Sequence, residues 1–183
     1  LCGERNGMPP SGFDLGNSPA DFAVARLEGK DIILTTTNGT LAVSHASTAQ
    51  EVVAATMLNG ISVADHILRY SEKCLDVSII CAGTDGRFSI EDFYCAGAIV
   101  SALAREGYGV PTDQAWAASK LSDLPMASVV NRATCRHVAV LERKGFSRDL
   151  ELALRMESEP YGRRIPVLDQ KTGGFVLSDE TAE

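Results

Sequence analysis

One stretch carries most of the fold information in this chain: Asp31-Ile32-Ile33-Leu34-Thr35-Thr36-Thr37-Asn38-Gly39-Thr40. Its first part is a short apolar run rich in β-branched side chains, which predicts a buried strand. Hydroxyl, amide and glycine positions follow without a break where that strand should end. Ligands of open α/β sheets bind at the carboxyl ends of the strands, and small donors with close backbone approach suit an oxyanion such as phosphate or sulfonate. The stretch therefore predicts a strand that ends in an anion-binding loop.

The same residues are also compatible with a β-hairpin. Asn38-Gly39 between two β-prone runs is a strong signal for a two-residue type I′ turn. Against this, residues 41–50 contain several alanines and neither glycine nor proline, so a helix can follow the loop. The local sequence leaves both structures open.

The composition is that of an ordinary globular protein, with 183 residues of which 45% are hydrophobic and 22% are charged. This length predicts a single domain over residues 1–183 with a sizeable core, to which Trp116 is expected to contribute packing. The net charge of −7 and the pI near 5.0 argue against a general nucleic-acid-binding surface. An anionic substrate remains compatible, because a local cationic site can oppose the field of the whole protein.

The cysteine pattern indicates a reducing compartment. Five cysteines occur, with no Cys-x-x-Cys pair among them. The sequence has no run of about 18 consecutive apolar residues, so we expect a cytoplasmic protein that does not enter the membrane. The chain begins at Leu1 rather than methionine and runs straight into the charged motif Gly3-Glu4-Arg5, so we expect a domain that is N-terminally incomplete.

Strand, polar loop and helix recur along the first part of the chain. The run at 31–37 precedes a predicted helix near 41–50, and residues 77–82, the clearest core strand, precede a helix at about 89–106. Further helices are predicted at 18–25, 61–73, 112–121, 125–144 and 149–156, and two edge strands at 165–168 and 174–177. This order is typical of an α/β fold with three layers, in which helices flank a mostly parallel sheet. A sheet of so few strands is compatible with a homo-oligomer.

Three polar loops, at 3–18, 35–40 and 81–92, hold the residues that could carry chemistry, and the last two share one edge if the sheet is parallel. Cys81 and Arg87 form a Cys-x5-Arg pattern between a predicted strand and a predicted helix. In cysteine-dependent phosphatases such a loop cradles the phosphate and lowers the pKa of the thiol. The alternative is a core cysteine that ends a strand.

Carboxylates near the start of the predicted helix at 89–106 could bind a metal ion. Glu91 and Asp92 offer hard oxygen ligands of the kind that Mg²⁺ prefers. At a helix start they would equally compensate the helix dipole. Arg5 is open to two interpretations as well, since it could bind an anion with its guanidinium fork or pair with Glu4 or Asp14.

Several blocks of the chain resemble, in the same order, those of the 2-phosphosulfolactate phosphatases, Mg²⁺-dependent acid phosphatases of coenzyme M biosynthesis. The matching blocks are Gly3-Glu4-Arg5, Gly12-Phe13-Asp14-Leu15-Gly16-Asn17-Ser18-Pro19, Thr35-Thr36-Thr37-Asn38-Gly39-Thr40, Cys81-Ala82-Gly83-Thr84, Phe88-Ser89-Ile90-Glu91-Asp92 and Cys95-Ala96-Gly97-Ala98, with weaker matches at Gly145-Phe146, Asp149 and Ile165-Pro166-Val167. The resemblance implies an α/β fold, Mg²⁺ as cofactor, and hydrolysis of 2-phospho-3-sulfolactate or a similar small anionic phosphoester. It also favours the loop over the hairpin at 35–40. Members of that family begin with a further segment, in line with the expectation of an incomplete domain.

With this resemblance the candidate residues fall into three predicted sets. The catalytic set is Glu4, Arg5, Cys81 and Asp92; the substrate-binding set is Arg5, Asn17, Ser18, Thr36, Thr37, Asn38, Gly39, Thr40 and Thr84; the metal ligands are Asp14, Glu91 and Asp92. Bound Mg²⁺ would neutralise the phosphate charge, and the attack would come from metal-activated water or from the Cys81 thiolate. The alternative is a non-catalytic domain that binds an anion without converting it.

Overall fold

A computed structural model describes residues 1–69, 76–156 and 164–178 as a mixture of helices and short strands. In chain order the elements are β1 (Cys2–Gly3), α1 (Pro19–Val24), β2 (Leu34–Thr35), α2 (Gly39–Ala46), α3 (Gly60–Arg69), α4 (Ile90–Arg105), α5 (Asp113–Ser122), α6 (Met126–Val129), α7 (Arg136–Arg143), α8 (Ser147–Ala153), β3 (Ile165–Asp169) and β4 (Gly174–Ser178). The predicted mixed α/β class is confirmed. The strands of the described residues form two sheets of two strands each.

The parallel pairing of β1 with β2 fixes the direction of the chain at the candidate site. Cys2 pairs with Leu34 and Gly3 with Thr35, and the Glu4 amide donates to the Thr35 carbonyl at 3.0 Å. Gly3 has φ +149°, and a Cβ there would lie 2.1 Å from the Thr35 carbonyl oxygen. Only glycine allows this close approach of the two strands. The loops that follow β1 and β2 therefore leave from the same edge.

A helix, and not a β-hairpin, follows β2. Helix α2 begins at Gly39, so the Asn38-Gly39 pair opens a helix and the hairpin interpretation is wrong. Thr36 supports the first turn, because its side-chain oxygen accepts the Thr40 amide at 3.2 Å and its carbonyl accepts the Thr40 hydroxyl at 2.8 Å. The strand itself is only Leu34–Thr35, much shorter than the predicted run at 31–37.

The prediction of a core strand at 77–82 is wrong for this structure. Residues 76–83 have no strand pairing, and Val77, Ile79 and Ile80 are between 37% and 52% exposed. An apolar, β-branched run has a preference for a pleated, half-buried surface, but a strand forms only when another strand pairs with it. No strand of the described residues pairs with this run.

The single helix predicted at 125–144 is replaced by α6 and α7 with a turn between them. Asn131 breaks the helix, because its side-chain nitrogen donates to the Ala127 carbonyl at 3.0 Å and its side-chain oxygen accepts the Ala133 amide at 2.9 Å. These bonds compete with the helical backbone ladder. The Cys135 amide then donates to the Asn131 carbonyl at 2.8 Å, and α7 begins at the next residue.

The remaining predicted elements match the structure closely. The predicted helices at 18–25, 89–106, 112–121 and 149–156 correspond to α1, α4, α5 and α8, and the two edge strands form the antiparallel pair β3–β4. The helix predicted at 61–73 appears as α3, and positions 70–73 lie outside the described residues. Trp116 does not pack as expected, since it is 57% exposed on α5. Within the described ranges, no helix combines the length and apolar content needed to cross a membrane.

Helix α4 joins two hydrophobic clusters. The first consists of Met57, Tyr94, Val129, Val130, Cys135 and Val138, and the second of Ala64, Ile99, Ala102 and Leu103. Helix α5 crosses α4 closely at Gly97, where a Cβ would lie 2.0 Å from the Ala118 carbonyl oxygen. The small residue at this crossing allows the two backbones to touch, which holds α4 and its first turn in place.

Replacing Gly97 with alanine tests this packing. We expect Gly97→Ala to lower the free energy of unfolding by about 1–3 kcal/mol, because the clash is with backbone and cannot be relieved by a side-chain rotation. Gly60→Ala is the matched control, since the added Cβ would meet only the Ile99 side chain, with Cγ1 at 3.4 Å and Cδ1 at 3.9 Å. Urea unfolding of both variants checks the prediction, and equal stability of the two would contradict it.

Candidate active site

The Glu4 side chain ties together the loops that follow β1 and β2. Its Oε1 accepts the Thr37 amide at 2.6 Å and its Oε2 accepts the Gly7 amide at 2.9 Å. Partial burial alone would raise the pKa of Glu4, but these two amides and the neighbouring Arg5 hold the pKa below its usual value. Both oxygens of an ionised carboxylate are thus engaged by donors. This arrangement suits a residue that positions the two loops better than one that transfers protons.

Arg5 lies at the carboxyl ends of both strands. Its Nη1 donates to the Glu4 carbonyl at 2.7 Å and its Nη2 donates to Thr35 Oγ1 at 2.8 Å. These bonds fix the guanidinium group above the loop that opens α2. A guanidinium group has five N–H donors in a planar fork that matches phosphate, sulfonate and carboxylate oxygens.

Asn38 joins the second and third polar loops. It stands at the N-cap position of α2, yet its side chain makes no capping bond to that helix. Its Oδ1 instead accepts the Asp85 amide at 3.0 Å. The first turn of α2 therefore has no cap from its own N-cap residue, only the bond from the Thr40 amide to Thr36 Oγ1, and the partial positive charge of a helix start lies next to Arg5 and Thr36. The structure brings the loops at 35–40 and 81–92 together, as predicted.

The loop after Cys81 is a tight turn rather than a phosphate cradle. Thr84 and Arg87 exchange two backbone hydrogen bonds of 3.0 Å each, around Asp85 and Gly86 with φ values of 52° and 70°. Positive φ at both central positions defines a type I′ turn. The amides of Gly83, Thr84, Asp85 and Arg87, which a cysteine-dependent phosphatase would aim at its substrate, donate within the protein instead.

The electrostatic surroundings of Cys81 also disfavour a thiolate. Partial burial and the charge of Asp92 both raise the pKa of the Cys81 thiol. Reactive cysteines need the opposite shift, from a cation or a helix start near the sulfur. The geometry and the charge therefore agree, and both favour the alternative in which Cys81 is not the nucleophile.

Glu91 and Asp92 lie in the first turn of α4, each with one oxygen already bonded. Asp92 Oδ2 accepts the Gly83 amide at 2.7 Å, and Glu91 Oε2 accepts the Cys135 thiol at 3.0 Å. Burial raises the pKa of Asp92; the Gly83 amide opposes this shift, Glu91 adds to it, and His137 lowers it. His137 is therefore close enough to affect the charge of Asp92, and the sequence did not single it out as part of the site.

Two adjacent carboxylates fit the way in which Mg²⁺ is bound when substrate phosphate and water complete its coordination. In the part of the chain that the structure describes, no group of three or more His, Cys, Asp or Glu side chains is placed to hold a metal by itself. Asp14, the third predicted ligand, is not grouped with the other two. Its side chain is 78% exposed.

Two other predicted substrate-binding residues have structural partners. Ser18 donates to Asp149 Oδ1 at 2.8 Å and accepts the Asp21 amide at 3.2 Å, so its hydroxyl caps α1 and is buried. Thr84 Oγ1 lies 2.7 Å from Ser89 Oγ. Asn17 precedes Ser18 in the loop before α1. Their predicted contact with substrate stays a prediction.

The sequence missed two residues that support the site. Cys135 contacts Glu91 from 44 positions away, and Asp149 contacts Ser18 from 131 positions away. Neither has a local motif from which such a contact could be read. Asp149 falls in one of the weaker matching blocks, which was its only signal.

Comparison with known proteins shows similarity to one family of phosphatases. A family model described as 2-phosphosulpholactate phosphatase matches residues 1–162. The chain is 38% identical over 184 residues to a probable 2-phosphosulfolactate phosphatase of Thermotoga petrophila, covering 98% of the chain and 74% of the relative. The Thermotoga maritima relative of the same name has the same identity and coverage, and that of Clostridium acetobutylicum is 43% identical over 186 residues, or 97% of the chain and 72% of the relative.

Replacing Glu4 with glutamine tests its part in the loop structure. At pH 7 we expect Glu4→Gln to lower the free energy of unfolding by about 1 kcal/mol, because the glutamine nitrogen faces an amide donor. Since the folded state lowers the pKa of Glu4, this contribution is present above the ordinary value of about 4.3 and is lost as the pH falls below it. Urea unfolding from pH 7 to pH 3 measures the difference.

The exposed Glu28 supplies the control for that series. Glu28→Gln should change the stability little at any pH. A difference between the wild-type protein and Glu4→Gln that stays constant down to pH 3 would contradict the assignment, because it would have no link to the charge of Glu4.

Proposed function

We propose the following function for this chain, which belongs to the 2-phosphosulpholactate phosphatase family. The chain is a phosphoric monoester hydrolase by family, and its substrate is 2-phospho-3-sulfolactate or a similar small anionic phosphoester, which it converts to sulfolactate and phosphate. One observation supports the proposed site: β1 and β2 pair in parallel, and Arg5, which follows β1, donates to Thr35 just before the start of α2.

In this proposal the anionic groups of the substrate bind at that edge. Arg5 binds phosphate, sulfonate or carboxylate oxygens with the guanidinium donors that Thr35 and the Glu4 carbonyl leave over. The first turn of α2, which begins at Gly39, adds the positive end of the helix dipole. Positioned donors of this kind stabilise the charge on the phosphoryl oxygens in a loose transition state.

We propose Mg²⁺ as the cofactor, held by Glu91 and Asp92 together with substrate oxygens and water. The support is the donor set, two neighbouring carboxylates at the start of α4. When bound, the ion would supply neutralisation of the phosphate charge and a more acidic water. In the reaction the water oxygen forms a bond to phosphorus, the bond from phosphorus to the ester oxygen breaks, and a proton goes to that oxygen.

The sheet, the oligomeric state and the cellular location of the domain can also be proposed. We propose that the parallel pair β1–β2 belongs to a mostly parallel sheet with helices on both faces, because α2 follows β2 and the apolar side chains of Ile32, Ile33 and Leu34 are exposed. Such exposed apolar runs also suit a homo-oligomer. The free thiols of Cys2, Cys81, Cys95 and Cys135 support a cytoplasmic location.

Phosphate release from 2-phospho-3-sulfolactate in the presence and absence of Mg²⁺ tests the function directly. We expect release that requires Mg²⁺ and that exceeds release from a generic phosphoester. Arg5→Ala should lower kcat/KM by about 100-fold or more, because a preorganised donor to the transition state is lost. Arg26→Ala, which removes an exposed arginine outside the site, is the control. Binding of phosphate without any turnover would overturn the proposal in favour of a non-catalytic anion-binding domain.

The cysteine mechanism has its own test. We expect Cys81→Ser to retain most of the activity and its dependence on Mg²⁺, because the raised pKa of the thiol and the turn that follows it do not produce a nucleophile. Arg87→Lys should behave in the same way. A loss of activity to the background level in Cys81→Ser, with Mg²⁺ binding retained, would instead establish the thiolate as the attacking group.

A further inference from the structure

A buried thiol donates a hydrogen bond to a carboxylate at the candidate site. Cys135 Sγ lies 3.0 Å from Glu91 Oε2. Cys135 immediately precedes α7, whereas Glu91 lies in the first turn of α4. The contact therefore links two helices that meet at their starts.

The sulfur is held rigidly by its surroundings. Cys135 is 1% exposed, within the cluster that also contains Tyr94, one turn after Glu91 on α4. The Val138 amide donates to the sulfur at 3.4 Å, as a cap of α7. A thiol carries one proton, and here that proton is directed at Glu91 Oε2, so the group beside Glu91 is a fixed donor.

We propose that Cys135 is a positioning residue for Glu91: its thiol binds Oε2 and leaves Oε1 as the oxygen that serves the active site. The inference rests on the proposed function of Glu91 as a ligand of Mg²⁺. When one oxygen of a carboxylate is held by a hydrogen bond, the second oxygen is the one left to bind a cation, and the orientation of the carboxylate is fixed. Partners of this kind behind a ligand generally affect metal affinity by about 10-fold to 100-fold.

Three variants separate positioning from packing. Cys135→Ala removes the donor, Cys135→Ser keeps a donor and the cap, and Cys95→Ala removes a thiol from α4 that packs against the same cluster. The measurements are direct binding of Mn²⁺, as a spectroscopic substitute for Mg²⁺, the Mg²⁺ concentration for half-maximal activity, and the melting temperature. We expect Cys135→Ala to weaken Mn²⁺ binding by about 10-fold or more. Cys135→Ser and Cys95→Ala should stay close to the wild-type affinity.

A purely structural role predicts another result. Cys135→Ala and Cys95→Ala would then lower the melting temperature while leaving the affinity for Mn²⁺ unchanged, and that outcome overturns the proposal. Loss of affinity in Cys135→Ser equal to that in Cys135→Ala also overturns it, because the serine retains a donor.

The hydrogen bond can be tested apart from the proposed function. The infrared S–H stretching band that disappears in Cys135→Ala belongs to this thiol, and Glu91→Ala should shift it to higher frequency. If the wild-type protein neither binds the metal nor releases phosphate, the proposed function fails. In that case, a shift of the band in Glu91→Ala would still show that the Cys135 thiol bonds to Glu91. An unchanged band would show that it does not.

Discussion

Two amide hydrogen bonds to one carboxylate hold the candidate site together. The parallel pairing of β1 and β2 brings the following loops to the same edge, but strand pairing does not set the distance between the loops. Glu4 sets it, by accepting the amides of Thr37 and Gly7. Arg5 bonds to Thr35 and to the Glu4 carbonyl, so its guanidinium group is held by the same two loops. An anion that binds here meets donors whose positions were already determined by folding, which is the condition for electrostatic stabilisation of a transition state.

Turn chemistry explains where local prediction failed in this region. Asn6-Gly7 and Asp85-Gly86 have positive φ at both residues and form tight two-residue turns. Asn38-Gly39 has the same favourable sequence, yet Asn38 adopts the right-handed helical region and Gly39 begins α2. The bond from the Asp85 amide to the Asn38 side chain is a tertiary contact, and it competes with a local turn preference of modest size. The sequence shows the preference but not the contact.

The same distinction separates what could be predicted from what could not. Helices α4 and α5 follow from local signals: apolar spacing, an N-cap residue and acids in the first turn. The composition of the run at 77–82 predicts a strand, but strand pairing requires a neighbouring strand, which composition does not identify. In the site, the loop at 36–40 could be found because it follows an apolar run, and Arg5 could be found from the charged motif Gly3-Glu4-Arg5, although the sequence did not predict β1. Cys135 could not, because its partner Glu91 lies on another helix and the bond is made only by packing.

The electrostatics of the site explain how an acidic chain can bind an anionic substrate. The two carboxylates at the start of α4 oppose each other, since Glu91 and burial both raise the pKa of Asp92. A divalent cation beside them would reverse that effect, so the repulsion between these acids would be relieved if a cation and a phosphate bound together. Arg5 and the start of α2 provide positive potential from a different element, and the bond between Asn38 and Asp85 connects the two. The net charge of −7 therefore places no limit on the site, because binding is governed by groups a few ångströms away rather than by the distant charges that solvent and salt screen.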